Sequence, residues 1–333
     1  MTTPRVLIVG NPGEVHVGRH LLRAADMLGV PAELIDVAAA WGGPAVVRRA
    51  LWRWDHRPYH LRRFGQRVLD ECERFAPTLV LVTGISPPGA DVLRRMAELG
   101  IPVANFLTDD PFNPAHRARW FLHTLPEYRM VFTPRRSNVS DLTRAGCRRV
   151  EYQPFAYDPG DHRREPPSAD VASDVLFVGG GDADRIPYAE RLAAAGFRVA
   201  LYGGYWDRHP TTAAAHRGFG DAAAVRAATA SARVCLILVR RANRDGHVMR
   251  SFEAAACGGC LLVEDTAEHR DLFADTVTYF RTPNEMVNQA RLLLADPDRR
   301  RASAEASHHR IVIGGANTYA DRLRAILETT IAP

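Results

Sequence analysis

Short apolar runs that close on glycine or a polar residue, each followed by a segment with helical spacing, recur along the whole chain. Arg5 to Gly10 (RVLIVG) is the first, and Pro31 to Val37 (PAELIDV) the second. PTLVLVTG, IPVANFLTD, YRMVFTP and RRVEYQPFA follow in the first half. DVLFVGGG, FRVALYGG, VCLILVR, CLLVE and TVTYF follow in the second. A strand that is apolar at nearly every position has no face to give to water. It belongs inside a parallel sheet with helices on both sides. The intervening segments supply those helices: Leu21, Leu22, Ala25 and Leu28 recur at helical spacing, and a second helix is expected near Leu61 to Phe75. The alternation predicts an α/β chain of two Rossmann-like domains. Between them DPGDHRREPPSAD is polar, proline-rich and without period, as a linker would be. The expected divisions are 1–158 for the first domain, 159–172 for the linker, 173–315 for the second domain and 316–333 for a terminal helix. Ligands of such sheets bind beyond the carboxyl ends of the strands, so a cleft between two facing parallel sheets is the expected place.

Composition removes several chemistries. The chain has no lysine, so all 43 basic residues are arginine. No lysine Schiff base and no P-loop lysine can form, and an anionic ligand must be held by arginine, histidine or backbone amides. With 38 acidic residues the formal net charge is only +5, and the arginines are scattered. No nucleic-acid partner is expected from such a pattern. Five cysteines show no extracellular disulfide framework. Cys257 and Cys260 form a lone CxxC at a helix end, read as small packing residues with no metal expected. MTTPRVLIVG lacks a secretory signal pattern, and no apolar run approaches the ~20 residues of an integral membrane segment. A cytoplasmic location is expected; the sequence leaves the oligomeric state open.

The richest stretch is Asn243 to Glu264, NRDGHVMRSFEAAACGGCLLVE. His247, Arg250 and Glu253 at i, i+3 and i+6 are expected along one helix side, with Val248, Phe252, Ala255 and Ala256 packing on another. Asp245-Gly246 stands at the expected N-cap, so the free N–H groups of the helix would face a ligand. Arginine one turn into such a helix suits phosphate, and the glutamate suits a sugar diol. Upstream, Gly179, Gly180 and Gly181 end a strand and let a ligand approach the backbone. Arg185 lies just beyond, and Arg240 and Arg241 end the strand before the stretch. Each has a plainer reading: Arg250 and Glu253 as a surface ion pair, Arg185, Arg240 and Arg241 as solvated side chains, His247 as a packing group.

The first half offers fewer candidates. Gly10, Gly13 and Gly18 do not make GxGxxG, which argues against a dinucleotide despite Asp36 at the end of the second strand. His16 lies in the loop after the first strand. Asp109 and Asp110 lie at a strand's carboxyl end, either as general-base candidates or as turn formers before Pro111. The Trp/Arg-rich stretch Trp41 to Tyr59 reads as a surface helix, either an acceptor-site wall or a packing face.

The pieces DVLFVGGGDADR, VALYGGYWD, GHVMRSFEAAACGGCLLVED, PNEMVNQARLLLADPDRR and NTYADRL, with VEYQPFAYDP before His162, resemble the group 1 glycosyltransferases of GT-B fold, in their spore-maturation-protein-like branch. They span most of 150–325 in the family's order; TDDPF at 108–112 is the best match upstream. The resemblance implies sugar transfer from a nucleotide-diphosphate sugar, bound as substrate with no cofactor, to a small-molecule or natural-product acceptor. It implies Glu253 on the ribose hydroxyls, Arg250 near the diphosphate and Asp245 near the transferred sugar. An aspartate stands at 245 where many relatives have glutamate, and Asn317 where the branch has histidine. The family's last helix crosses back to the first domain. Metal independence is expected, since TDDP contains no Asp-x-Asp. Other readings are a nucleotide-sugar-binding or non-glycosidic coupling protein, a nucleotide-sugar epimerase and an NAD-dependent oxidoreductase.

Overall fold

The computed structural model describes residues 3–331. The described chain divides into two compact units. One takes in the chain through Pro154, the short piece Ala242–Arg244 and the chain from Tyr319; the other takes in Phe155–Arg241 and Asp245–Thr318.

In the first unit β1 (Val6–Gly10), β2 (Ala32–Asp36), β3 (Leu79–Thr83), β4 (Val103–Phe106), β5 (Met130–Thr133) and β6 (Val150–Tyr152) form one sheet in the order β2-β1-β3-β4-β5-β6. Every pairing is parallel. In the second unit β7 (Ser173–Val178), β8 (Val199–Tyr202), β9 (Ala232–Ile237), β10 (Leu261–Glu264) and β11 (Thr278–Phe280) pair in the order β11-β10-β9-β7-β8, again all parallel. Val6 to Val9 and Leu79 to Val82 are wholly buried, because helices cover both faces of these central strands. Each such side chain contributes roughly 1.5–3 kcal/mol of burial. The edge strand β2 is mostly half-buried, and its sequence accordingly admits Glu33 and Asp36.

Both sheets start in the middle and wind outward in both directions. Successive strands therefore diverge between β1 and β3 in the first and between β7 and β9 in the second. The carboxyl ends of strands at such a divergence leave a crevice in which loops can hold a ligand. The loop after β7 carries Gly179 to Arg185, and the loop after β9 carries Arg240 and Arg241.

The terminal helix Tyr319–Ile331 packs in the first unit against the helix Val17–Met27. The Gln153 side-chain amide donates to the Arg322 carbonyl at 2.9 Å, and Arg322 Nε returns a bond to the Pro154 carbonyl at 2.9 Å. The ends of this expected segment and of the first one, residues 332–333 and 1–2, lie outside the described residues. Among the described residues no helix is long and apolar enough to cross a membrane.

Helix starts depart from expectation. Ser137 and Asn138, residue types that often cap, lie inside the helix Arg136–Arg144, which begins behind an extended Arg135 whose N–H reaches Thr133 Oγ1. Gly10 and Gly18 in the first βα turn serve chain packing: a Cβ at 10 would meet Thr83 Oγ1 at 2.6 Å, and one at 18 the Asn11 carbonyl at 2.8 Å.

Glycines around the loop after β7 separate by cause. At Gly203, φ is +126° and a Cβ would lie 2.4 Å from the Gly179 carbonyl oxygen, whereas a Cβ at Gly180 would meet nothing nearer than 3.7 Å. Gly203→Ala is expected to lower stability by about 2–4 kcal/mol and Gly180→Ala by less than about 1 kcal/mol, measured by urea denaturation. Equal losses would contradict this assignment of the two glycines.

Candidate functional site

Arg185 ends the loop after β7 and is buried, 7% exposed. Its Nη1 lies 3.5 Å from Asp182 Oδ2 and 3.5 Å from the Gly180 carbonyl, while its fully buried Nε has no hydrogen-bond partner. Burial pushes its pKa down, and Asp182 partly restores it. Arg240, from the loop after β9, also reaches Asp182 Oδ2, at 3.5 Å. Two guanidiniums thus converge on one carboxylate at the strand divergence of the second sheet. Arg241 turns elsewhere: it donates to Glu264 Oε1 at 2.6 Å and to Tyr188 Oη at 2.7 Å. Glu264 Oε2 accepts from the Val239 N–H at 3.0 Å, so the end of β10 is tied to the chain leaving β9. The charge of Asp245 acts on Arg185, and its N–H reaches back to the Arg240 carbonyl at 3.3 Å.

The helix of the 243–264 stretch runs from Met249 to Ala256, with Val248 as its N-cap. This corrects the expected cap at Asp245-Gly246. A Cβ at 246 would sit 2.3 Å from the Glu268 carboxyl carbon, and the Gly246 carbonyl accepts from Thr266 Oγ1. The backbone at 245–246 is therefore pressed against the following helix and does not open a new one. His247 consequently lies before the helix, not on one side of it with Arg250 and Glu253. Its Nε2 accepts the Phe155 N–H at 3.2 Å, which leaves the proton on Nδ1 for Glu268 at 2.7 Å.

Ser251 supplies the link that an N-cap side chain would have made. Its Oγ accepts the Val248 N–H at 3.2 Å and bonds His269 Nε2 at 2.9 Å. His269 Nδ1 faces the Glu264 carbonyl at 2.8 Å, so Nδ1 donates and Nε2 accepts from the serine. Burial pushes the pKa of His269 down to about 4, keeping it neutral.

Glu253 is 3% exposed and receives Arg250 Nη1 on one carboxylate oxygen. The other oxygen lies 3.6 Å from His162 Nε2. Because His162 Nδ1 accepts the Asp158 N–H at 3.1 Å, its ring proton faces the carboxylate. Glu253, Arg250 and His162 line a narrow pocket bounded by Leu176, Val178 and Ile237. Such a site offers one buried carboxylate for hydroxyl groups beside apolar walls. Cys257, at its edge, has its thiol pushed up to about 12 by burial, and Cys260 to about 11; both pack as protonated thiols.

In the first unit the three candidates differ in availability. Asp110 is 1% exposed, with Oδ1 on the Phe112 N–H at 3.0 Å and Oδ2 on Arg244 Nε at 2.7 Å. Arg244, held at φ +52°, also reaches Asp141 at 2.6 Å and Asn138 at 3.1 Å. Asp110 is thus a structural partner. Asp109 is half-buried and, among the described residues, has only long bonds, from Asn243 Nδ2 and Thr108 Oγ1, each at 3.4 Å. His16, the exposed N-cap of the first helix, has its pKa lowered by partial burial and then by His20, with Asp109 acting against this.

Residues 186–328, less than half of the chain, match a family model described as Glycosyl transferase-like. No curated protein matches the sequence. Among solved structures the chain is similar to sucrose-phosphate synthase from Thermosynechococcus elongatus, with TM-score 0.68 and 14% identity over 99% of each chain. It is similar to T4 phage BGT, solved in complex with its UDP-glucose substrate, with TM-score 0.63 and 14% identity over 99% of this chain and 100% of that one. The fold is GT-B. A Listeria monocytogenes protein described as a UDP-N-acetylglucosamine 2-epimerase shares it, with TM-score 0.62 and 12% identity over 98% of this chain and 97% of that one. Together the family match and the GT-B fold support a glycosyltransferase of the EC 2.4 class.

His162 and Glu264 escaped the sequence reading as site residues. A buried acid closing an apolar strand is a usable signal for Glu264. His162 has no local pattern that ties it to Glu253.

The neutral His269 carries a pH signature. Its pKa in the folded chain is lowered from 6.5 to about 4, so its contribution to stability is complete above pH 6.5 and is lost as pH falls toward 4. Urea denaturation should show a loss of roughly 3 kcal/mol from this group across that window. His269→Asn should flatten the dependence; an unchanged slope would contradict the relay.

Proposed function

We propose that this protein transfers a sugar from a nucleotide-diphosphate sugar to a small-molecule acceptor in the cytoplasm, without a metal ion. The observation that carries the reading is the pairing of two features in the unit that matches the family model. One is a buried carboxylate, Glu253, at an apolar pocket; the other is a buried and under-bonded guanidinium, Arg185, at the strand divergence. The first suits the hydroxyls and base of a nucleoside, the second a diphosphate. The spore-maturation-protein-like branch, named from its motifs, is part of this proposal.

Negative charge grows on the leaving diphosphate as the glycosidic bond breaks. Arg185, fixed by burial, and Arg240 stabilise that charge without first reorganising. Asp182 occupies their meeting point, and it turns aside when the diphosphate enters. Arg250 is shared between Glu253 and the phosphates. The loop at Gly180 has room for a Cβ that the protein itself does not fill, which suits close approach of the donor to the backbone. Asp245 is placed toward the transferred sugar. On the acceptor side Asp109 is the better general base, because both Asp110 oxygens are engaged; a neutral His16 is the other group able to take a proton. Guanidiniums take the charge-neutralising role that a divalent cation would otherwise fill, and this supports metal independence.

The similarity to a protein described as an epimerase keeps a second reading, interconversion of a nucleotide sugar without an acceptor. Analysis of the sugar recovered after incubation without acceptor distinguishes the two: epimerisation changes it, and transfer leaves it intact.

Arg185→Gln is expected to weaken nucleoside diphosphate binding by about 10–100-fold while leaving affinity for the nucleoside unchanged. Asp182→Asn should tighten diphosphate binding. Titration calorimetry with UDP, GDP and dTDP measures both, and EDTA should change neither binding nor turnover. A uniform loss for nucleoside and diphosphate in Arg185→Gln would sink the phosphate assignment.

A further inference from the structure

The helix Ala45–Asp55 stands almost wholly in water. Asp55, at its last position, is its one buried residue. Val46, Ala50 and Trp54 recur at i, i+4 and i+8 and form a single stripe with Val47 beside it. Val46 is 77% exposed, Trp54 72% and Val47 41%. An apolar stripe at helical spacing normally marks the face a helix buries. Here the stripe faces outward.

The charges around it are of one sign. Arg49 and Arg53, at i and i+4, border the stripe and line one hollow together with Arg48, Arg57, Trp41, Trp52 and Tyr59. Among the described residues none of these four arginines has a carboxylate partner, although ion pairs hold most of the arginines that face the donor-site elements. The helix's single acid is turned inward: Asp55 Oδ1 accepts the Arg119 N–H at 2.5 Å and Oδ2 the Trp120 N–H at 3.2 Å. The exposed surface therefore combines valine and tryptophan with uncompensated guanidiniums.

We infer that this helix docks the protein on an anionic lipid surface, lying in the plane of the headgroups. Valines and Trp54 enter the boundary of the acyl region, where the amphipathic indole is favoured, and the arginines pair with lipid phosphates. A second copy of the chain fits the surface poorly. Self-association would bring Arg49 and Arg53 against their own kind, and one face of an eleven-residue helix covers far less than the ~800 Å² per partner of a stable interface. The inference does not depend on the transferase reading.

The test is co-sedimentation of the full chain with phosphatidylcholine vesicles, with and without phosphatidylglycerol, at low and high salt. Binding to the anionic vesicles alone, weakened by salt, is expected. Arg49→Glu with Arg53→Glu, and separately Val46→Asp, should each weaken it about 10-fold or more. These positions are exposed, so the unfolding temperature and nucleoside diphosphate affinity should stay at wild-type values, which separates loss of docking from misfolding. The proposal is overturned by absence of binding to anionic vesicles, or by binding that the variants leave intact. Sedimentation velocity gives a third contrary outcome: a dimer that Val46→Asp dissolves would assign the stripe to a second copy.

Discussion

Arg185 is charged, buried and only partly bonded, and the arrangement of the second unit depends on how that position is tolerated. Removing a guanidinium from water is costly unless partners replace the lost hydrogen bonds. Asp182 replaces some, the Gly180 carbonyl gives one long contact, and Nε has none. A side chain in this state fits a site that is completed by an anion. The strands that diverge at this point, β7 and β9, make the position possible, since only there do two strand ends separate and leave their loops room to converge.

The loops and helix start near Arg185 are held by side-chain hydrogen bonds. Glu264 binds the Val239 N–H and Arg241, Ser251 and His269 tie the start of the Met249–Ala256 helix to the end of β10, and His247 joins Phe155 to Glu268. These bonds settle where the helix starts and hence where Arg250 and Glu253 point. Both histidines act as two-ended connectors, each accepting at one nitrogen and donating at the other. Protonation of His269 in acid should disturb that arrangement before it touches the apolar core.

The fold was legible because its physical cause is local. A parallel strand buried on both faces must be apolar throughout, and the runs of the sequence are therefore visible one by one; the helix Leu61–Phe75 has the bounds its spacing predicts. Helix starts were less legible. Asp245, Ser137 and Asn138 are residue types that often cap, but whether a side chain turns to the N–H groups depends on what presses on the backbone from elsewhere. At Gly246 that pressure comes from Glu268. The same limit applies to the site. Arg250 and Glu253 at i, i+3 announce their ion pair, and the structure shows it. The capture of Asp110 by Arg244, and the approach of His162 to Glu253, join residues far apart in the chain and leave no periodic trace. The Trp41 to Tyr59 stretch reads as a surface helix, but helical spacing does not say whether its stripe of Val46, Ala50 and Trp54 is covered.

The central claim is that Glu253 recognises the ribose of a nucleotide donor. Its most direct test compares a nucleoside diphosphate with its 2′,3′-dideoxy analogue by titration calorimetry, on the wild type and on Glu253→Ala. The wild type should prefer the ribose form by about 10-fold or more, since a buried carboxylate left without its hydroxyl partners is costly, and Glu253→Ala should bind both forms alike. A preference that survives the substitution would contradict the account.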